Sequence, residues 1–452
     1  MLGSGVYCGP SSSAPKAFAR RLPTRVPTLE ERRQLHPTLT FNPTSALIES
    51  VQGRPTDDPI FSLNAEAKAR AAAGESILNA TLGALTDDEG KLLVLPSVSE
   101  AISRIPAGRA AAYAPILGPQ AFLEAVINDA LGETSLVPSA TAAATAGGTG
   151  AILHSITTFL DIGDALLTTD YYWAPYRIIA KHTRRSVETF PMFDGAGRLN
   201  LRGFEEVIVS QIKRQGRVMA ILNVPCHNPT GYTLDEAEWR GLGEIFERHG
   251  HSAPITVLFD IAYAKFGAPG ADTWIGHLEG FSKCVQVLIA WSASKSFAQY
   301  GARIGALIAV AHDDEERACI QNALSYACRG TWSNCNHLGM LAISELLTNP
   351  ISREAADRER AALIDLLGQR VEAFNTEAAK YDLDYPRYEG GFFVAVFSPD
   401  AEKTAAHMRD AGVFVVPLGG ALRIALCATP TRDIPRLVKA LAAGIAAAGD
   451  PS

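Results

Sequence analysis

The 452-residue sequence lacks several features that would assign it to common protein classes. Its seven cysteines are odd in number and form no C-x-x-C pair, so neither a disulfide framework nor a zinc site is indicated, and a reducing compartment fits. No apolar run approaches the roughly 18 residues of an uncharged membrane span. The net charge of -7 gives no general attraction to nucleic acid or to anionic membranes. We therefore expect a cytoplasmic globular protein.

Two nucleotide-binding motifs are also missing. The segment Gly147-Gly-Thr-Gly150 has neither the G-x-G-x-x-G spacing of a dinucleotide-binding fold nor the lysine of a P-loop. It does precede an apolar helical segment, and a glycine loop at a helix N-terminus leaves backbone N–H groups free to bind an anion. Such loops also occur simply because they let a helix pack closely.

The first 40 residues or so differ from the rest in composition. Prolines at 23, 27 and 37 prevent a long helix, and basic side chains (Lys16, Arg20, Arg21, Arg25, Arg32 and Arg33) outnumber acidic ones (Glu30 and Glu31). We expect residues 1–57 to form an extension or arm whose first 40 residues are flexible. A transit peptide for organelle import is the alternative.

The middle of the chain alternates apolar strand patterns with helical patterns. This alternation predicts an α/β fold with a parallel sheet covered by helices on both faces. Ligands bind at the carboxyl ends of strands in such sheets. Polar or aromatic side chains follow several predicted strand ends: Trp173, Asn228, Asp260, Tyr263, Ser292 and Lys295.

The C-terminal part predicts a smaller α+β unit. Its strands span residues 391–397, 413–416 and 422–426, and helical segments alternate with them. We expect a large domain of residues 96–345 and a small domain that combines residues 58–95 with residues 346–452.

Lys295 is a lone lysine among small and aromatic residues, directly after a buried strand pattern. Burial lowers the pKa of a lysine and makes its amine a usable nucleophile. Ser292, Ser294 and Arg303 supply hydroxyls and a cation for a phosphate. Taken alone, this stretch also fits a surface turn with a solvated Lys and Arg.

Four motifs together resemble a known family. Asn228-Pro-Thr-Gly231, Asp260-Ile-Ala-Tyr263, Ser292-x-Ser-Lys295 and Arg303, in this order and spacing, resemble the fold-type I pyridoxal-phosphate aminotransferases. The similarity is greatest to the aspartate and aromatic amino-acid aminotransferase subgroup and extends from about Asp58 to residue 445. It implies a mostly parallel seven-stranded sheet between helices, a smaller α+β domain, and a homodimer with shared active sites.

The resemblance assigns roles around the cofactor ring. Lys295 would carry pyridoxal phosphate through an imine bond and then move the proton between substrate and cofactor. Asp260 would pair with the pyridine nitrogen, and Asn228 and Tyr263 would bond to the ring oxygen. Trp173 would stack on the ring.

The resemblance also assigns the phosphate site. Gly148 and Thr149 would bind the phosphate at a helix N-terminus, together with Ser292 and Arg303. Tyr113 would reach the phosphate from the neighbouring subunit.

Two arginines would recognise the substrate. Arg423 matches the residue that binds the α-carboxylate, a bidentate task that suits guanidinium. Arg329 matches the partner-subunit arginine that binds the distal carboxylate of aspartate, glutamate or 2-oxoglutarate; a structural interface arginine is the alternative. Further substrate-pocket residues would be Gly83, Phe393, Asn228 and Trp173.

The sequence departs from the family pattern in two places. Tyr176 stands where close relatives have a histidine behind the ring-nitrogen aspartate, and Cys335-Asn336 stands where two prolines are common. We expect an aminotransferase that uses aspartate or an aromatic amino acid with an acceptor such as 2-oxoglutarate. Other chemistry of the same cofactor is the alternative: β-elimination, decarboxylation or a specialised biosynthetic step. A non-catalytic regulator is disfavoured because Lys295 is present.

Overall fold

The computed structural model describes residues 45–48, 51–54 and 59–449. The predictions about residues 1–44, a flexible extension or an import sequence, therefore lie outside the described residues. From Leu63 onward the chain forms one compact unit. The short described segments before Leu63 contain none of the predicted site residues.

The larger part of this unit is built on a seven-stranded sheet. Its strands are β2 (Ala140–Ala146), β3 (Ala165–Thr169), β4 (Ser186–Phe190), β5 (Val218–Asn223), β6 (Ile255–Asp260), β7 (Gln286–Ser292) and β8 (Ile304–Val310). Their spatial order is β2, β8, β7, β6, β5, β3, β4. Strand β8 is antiparallel to both of its neighbours, and the other pairs are parallel. The predicted α/β fold is confirmed.

Helices cover both faces of this sheet. In chain order, the described α-helices up to Thr348 are α1 (Pro59–Ala72), α2 (Pro96–Ser103), α3 (Ala107–Ala111), α4 (Gln120–Leu131), α5 (Gly147–Phe159), α6 (Pro175–His182), α7 (Leu201–Gln215), α8 (Glu236–Gly250), α9 (Trp274–Phe281), α10 (Ala293–Ser296), α11 (Asp314–Thr331) and α12 (His337–Thr348). Side chains alternate along each strand between two hydrophobic cores, one on each face of the sheet. Ile221 and Leu258 pack in one core, and Leu222 and Phe259 pack in the other. Because both faces are buried, the strands read as continuous apolar runs.

The C-terminal residues form smaller sheets around a third core. The long helix α13 (Pro350–Ala378) leads to β9 (Phe393–Phe397), α14 (Ala401–Asp410), β10 (Val413–Phe414), β11 (Val416–Leu418), β12 (Ala421–Ala425) and α15 (Ile434–Gly449). Strands β11, β12 and β9 form an antiparallel sheet in that order. Strand β1 (Leu78–Asn79) pairs in parallel with β10. This pairing agrees with the proposed small domain, whose bounds stay a prediction.

Several element bounds differ from the sequence-based expectation. Helix α5 begins at Gly147 rather than after the glycines, and β1 has two residues. Helix α11 continues through Thr331, so Arg329 lies in its last turn. The helical pattern continues because Leu324 and Cys328 remain on its buried side.

Within the described ranges, no helix is long and apolar enough to cross a membrane, and no cluster of metal-binding side chains occurs. Five cysteines there have free thiols: Cys226, Cys284, Cys328, Cys335 and Cys427.

Candidate active site

One cavity lies at the carboxyl ends of the parallel strands, where the sequence predicted it. Nine of the predicted residues line it: Gly148, Thr149, Trp173, Asn228, Asp260, Tyr263, Ser292, Lys295 and Arg303. They come from five strand ends and from the start of α5, so they are far apart in the chain and meet only in the fold.

Asp260 is the last residue of β6 and is buried at the base of the cavity. Its Oδ2 accepts a hydrogen bond from the Tyr176 hydroxyl at 2.6 Å, and its backbone oxygen accepts one from the Asn223 side chain at 2.7 Å. Burial raises the pKa of Asp260, while the Tyr176 hydrogen bond and the charge of Lys295 oppose that rise. The carboxylate is thus held in a fixed position where a cationic partner would stabilise it strongly.

Lys295 lies on the one-turn helix α10, directly after β7. The Ser292 hydroxyl caps this helix by accepting from the Ser294 N–H at 3.1 Å. The Lys295 Nζ lies 5.1 Å from the centroid of the Tyr263 ring. Burial lowers the pKa of Lys295, and Asp260 partly offsets this effect. Among the residues that the structure describes, no hydrogen bond or ion pair to Nζ is found, so the amine is available for chemistry.

Asn228 and Tyr263 present polar groups beside Lys295. The Asn228 Nδ2 donates to the Tyr263 hydroxyl at 3.2 Å, and the Asn228 N–H donates to the Asn223 side chain at 2.6 Å. Burial raises the pKa of Tyr263 far above its ordinary value. Tyr263 therefore remains a protonated hydroxyl that can donate a hydrogen bond into the cavity.

The start of α5 and Arg303 form a cradle for an anion. The Arg303 guanidinium donates to the Thr149 hydroxyl at 3.2 Å and to the Ser294 hydroxyl at 3.4 Å. Gly147 has φ +69°, and a Cβ there would lie 2.5 Å from an Arg303 nitrogen. Glycine is therefore required for the arginine to reach the helix N-terminus, where free N–H groups add to its positive charge.

A second group of predicted residues adjoins the cavity beside Tyr263. Arg423 on β12 is 6% exposed, and its Nη2 donates to the Thr81 carbonyl at 2.5 Å. Its guanidinium lies 4.6 Å from the centroid of the Phe393 ring, which in turn meets the Tyr263 ring edge-on at 5.7 Å. A Cβ on Gly83 would lie 2.4 Å from the Phe393 ring. Arg423, Phe393 and Gly83 thus pack as one wall.

Two predicted residues lie elsewhere on the chain. Tyr113 is 92% exposed, and Arg329 is also exposed. Neither lines the cavity of its own chain. Both were assigned to the site of a neighbouring subunit, and this assignment stays a prediction.

The structure adds residues that the sequence analysis did not select. Asn223 lines the cavity and bonds to both Asp260 and Asn228; its only sequence signal is a polar residue ending an otherwise apolar strand. The departure at residue 336 also has an explanation. The Asn336 side chain caps α12 through the Gly339 N–H and donates to the Ala302 carbonyl, next to Arg303.

These residues fit pyridoxal phosphate. The group needs an amine for its aldehyde, a carboxylate for its ring nitrogen, donors for its ring oxygen and a cationic site for its phosphate. Lys295, Asp260 and the Arg303 cradle supply the first, second and fourth from separate walls of one cavity. Trp173 on a further wall offers an aromatic face, and Asn228 with Tyr263 offers donors.

Comparisons with known proteins agree with this fit. The chain is 27% identical over 409 residues to an aspartate aminotransferase of Pseudomonas aeruginosa, a match that covers 88% of this chain and 99% of that one. It is 29% identical over 297 residues to an aromatic-amino-acid aminotransferase of Paracoccus denitrificans, covering 65% and 73% of the two chains.

The fold gives the same result. The crystal structure of an aminotransferase from Anaerococcus prevotii superposes with a TM-score of 0.84 at 31% identity, covering 89% of this chain and 99% of that one. The family model for aminotransferase class I and II matches residues 75–441. This range includes the whole cavity and the Arg423 wall. The chain therefore belongs to the aminotransferase class I and II family.

Proposed function

We propose that this enzyme transfers an amino group between an L-amino acid of the aspartate or aromatic type and a 2-oxo acid such as 2-oxoglutarate, with Lys295 as the residue that holds pyridoxal phosphate. The observation that carries the proposal is the shared cavity of Lys295, Asp260 and the Arg303 cradle. Pyridoxal phosphate supplies an electron-withdrawing ring that stabilises negative charge on the substrate α-carbon. The remaining requirements fall on side chains of this chain.

Lys295 has the properties of a proton carrier. Lys295 would hold the cofactor through its Nζ; when that amine is free, it would accept a proton from the substrate α-carbon and donate it again later in the reaction. The lowered pKa of Lys295 favours the neutral amine that the first of these steps requires. The one-turn helix α10 places Nζ beside the Tyr263 ring.

Asp260 would hold a proton on the ring nitrogen. A carboxylate whose pKa is raised by burial gains most from a cationic partner, so it favours the protonated ring. Tyr176 fixes the carboxylate orientation from behind at 2.6 Å. Asn228 and Tyr263 would donate to the ring oxygen, and Trp173 would cover one face of the ring.

Two cations would select substrates. Arg423 would bind the α-carboxylate, and its packing against Phe393 gives that carboxylate an apolar neighbour on one side. Arg329 of a neighbouring subunit would bind a distal carboxylate. The two relatives described above are an aspartate and an aromatic-amino-acid enzyme, which supports both substrate types.

A homodimer would complete the site. Tyr113 and Tyr326 are 92% and 85% exposed, which is unusual for such large aromatic side chains. Residues close to each tyrosine in the chain, Ile116 and the α11 residue Ser325, line one groove together with Leu123. A second copy covering this groove would bury both tyrosines and carry Tyr113 and Arg329 towards the neighbouring cavity. The cytoplasmic location stays a prediction, with organelle import as its alternative.

A hybrid dimer tests the shared sites. Lys295→Ala and Arg329→Ala chains are each expected to be inactive with aspartate and 2-oxoglutarate. When the two are unfolded together and refolded, one site of the hybrid dimer has both Lys295 and Arg329 if the arginine comes from the partner. Recovery of glutamate formation supports the proposal, whereas no recovery in confirmed hybrid dimers contradicts it.

A donor screen tests the reaction. The purified protein is incubated with single amino acids, with and without 2-oxoglutarate, and glutamate, ammonia and carbon dioxide are measured. Acceptor-dependent glutamate from aspartate or an aromatic amino acid is expected. Ammonia or carbon dioxide released without an acceptor would instead indicate a lyase or decarboxylase. With 2-oxoglutarate as acceptor, Arg329→Ala should form little glutamate from any donor, whereas with an aromatic 2-oxo acid as acceptor it should lose aspartate and retain aromatic donors.

A further inference from the structure

The turn that carries Lys295 is short and needs support beyond its own hydrogen bonds. Helix α10 has four residues, and a single turn is only marginally stable by itself. At its start, the Ser292 hydroxyl accepts from the Ser294 N–H, and the Ser296 hydroxyl donates back to the Ser292 carbonyl at 2.9 Å. At its end, the carbonyls have few intrahelical partners, as at any helix C-terminus.

Arg360 of helix α13 supplies a hydrogen-bond donor at the C-terminal end of α10. Its Nε donates to the carbonyl of Ser296, the residue after Lys295, at 2.6 Å. Its guanidinium also lies 4.9 Å from the centroid of the Phe297 ring, one residue further on. Positive side chains are favourable at helix C-terminal carbonyls. One side chain thus holds both residues that follow Lys295.

The position of Arg360 in its helix indicates a specific role. The buried face of α13 includes Ser352, Ala356, Arg360, Leu363 and Leu367, so the arginine stands where the helical repeat calls for an apolar residue. It is 8% exposed. Its charge is balanced by Asp357, whose Oδ1 accepts from Nη1 at 2.7 Å. Removing one partner of a buried ion pair is strongly destabilising, so a buried and paired arginine at this position is costly to replace.

We infer that Arg360 is a positioning residue for Lys295: it caps the carboxyl end of α10 and thereby keeps the lysine amine directed into the cavity. Arg360 lines no part of the cavity, so it acts through the backbone of Ser296 and the ring of Phe297. The same helix has a second buried arginine in a comparable position. Arg370 donates to the Cys427 carbonyl, shortly after the substrate arginine Arg423. This inference rests on the proposed role of Lys295.

The test compares Arg360→Met, which removes the donor and the charge, with Arg360→Gln, which retains one donor. Arg358→Met is the matched control, because Arg358 lies on the exposed side of α13 and pairs only with Glu354 among the described residues. The holoenzymes are compared by kcat and KM for one donor. The cofactor-free proteins are compared by the rate at which added pyridoxal phosphate becomes fixed to the Lys295 peptide on borohydride reduction.

Arg360→Met is expected to lower kcat and the rate of covalent fixation by about tenfold each, with KM changed little, because the substrate arginines are untouched. For Arg360→Gln, kcat and the fixation rate should lie between those of Arg360→Met and wild type. For Arg358→Met, both should equal those of wild type. If Arg360→Met does not fold, the Gln variant decides the question.

A purely structural role would appear differently. If the variants lower the melting temperature while kcat per cofactor-loaded molecule and the fixation rate equal those of wild type, the inference is wrong. Failure of the proposed function is a separate result: borohydride would then label a peptide other than that of Lys295 in the wild-type protein.

Discussion

The Tyr176 hydroxyl donates a 2.6 Å hydrogen bond to Oδ2 of Asp260, and both side chains are buried. A tyrosine hydroxyl stays neutral in this position, since burial and the neighbouring carboxylate raise its pKa well above the ordinary value. It can therefore donate a hydrogen bond but cannot contribute a positive charge, as a histidine could. The charge state of Asp260 consequently depends on burial, on Tyr176 and on Lys295.

Tyr176→Phe should shift the acid side of the pH profile. The hydroxyl is the largest of the interactions that oppose the rise in the pKa of Asp260, so its removal raises that pKa further. A hydrogen bond to a charged group contributes about 1.5 kcal/mol, and one pKa unit corresponds to about 1.4 kcal/mol. The acid limb of kcat/KM should therefore move up by about one pH unit. Tyr172→Phe is the control, because the Tyr172 hydroxyl bonds to Arg177 instead; an unmoved limb in Tyr176→Phe would contradict the account.

Asp260→Asn should separate activity from stability. The pKa of Asp260 is higher in the folded protein than its ordinary value of 3.8. Folding stability is therefore lost as the pH rises from the unfolded-state pKa to the folded-state pKa, and it stays lower above that range. The amide removes this penalty, so the melting temperature of the cofactor-free variant at neutral pH should equal or exceed that of wild type. Its kcat should fall by at least about 100-fold. A variant that has a lower melting temperature than wild type and retains wild-type kcat would contradict this prediction.

Arg303→Met should weaken cofactor binding. Arg303 joins the Thr149 and Ser294 hydroxyls at the start of α5, so its loss removes the cation of the phosphate cradle. Charge-assisted hydrogen bonds contribute about 3 kcal/mol at most, which corresponds to about a 100-fold rise in Kd. Equilibrium titration with pyridoxal phosphate measures the change, and Arg317→Met on α11 is the control. Equal affinities for the two variants would show that Arg303 does not bind the phosphate.

Gly83→Ala should disturb the substrate wall. The added methyl group would lie 2.4 Å from the Phe393 ring, so that ring must leave its contact with Arg423. Overpacking costs about 1–3 kcal/mol, and a loss of about 1.4 kcal/mol in substrate binding corresponds to about a tenfold change. We therefore expect KM for the amino donor to rise about tenfold. Gly108→Ala is a matched control, since nothing lies within 4 Å of its added methyl group. Steady-state kinetics of both variants provide the comparison. The same KM in each would show that Gly83 does not contribute to the substrate pocket.

The sequence was most informative where strands end. Apolar runs identified the parallel strands, and residues at or shortly after the strand ends, Asn228, Asp260 and Lys295, do line one cavity. This works because parallel strands end at a common edge, so position along each strand fixes position in space. Short strands were less clear: β1 has two residues, and its pairing with β10 depends on a partner more than 300 residues away.

Other residues could not be placed from sequence alone. Asn223 ends an apolar strand, and only its bonds to Asp260 and Asn228 reveal its role. Arg329 lies in the last turn of α11, which continues through Thr331 although Gly330 is typical of a helix end. The sequence gives no signal for Arg360, because an arginine in a charged helix is usually solvated. Only its contact with Ser296 indicates its role. Each case depends on a contact between distant parts of the chain.

The most direct test of the account identifies the lysine that holds the cofactor. The wild-type protein is loaded with pyridoxal phosphate, reduced with borohydride, digested and analysed by mass spectrometry, with Lys295→Ala treated in parallel. The account predicts that the cofactor is found on the peptide that contains Lys295 and that the variant neither retains it nor forms glutamate. A cofactor fixed to Lys265 or another lysine, or a Lys295→Ala protein with wild-type turnover, would contradict it.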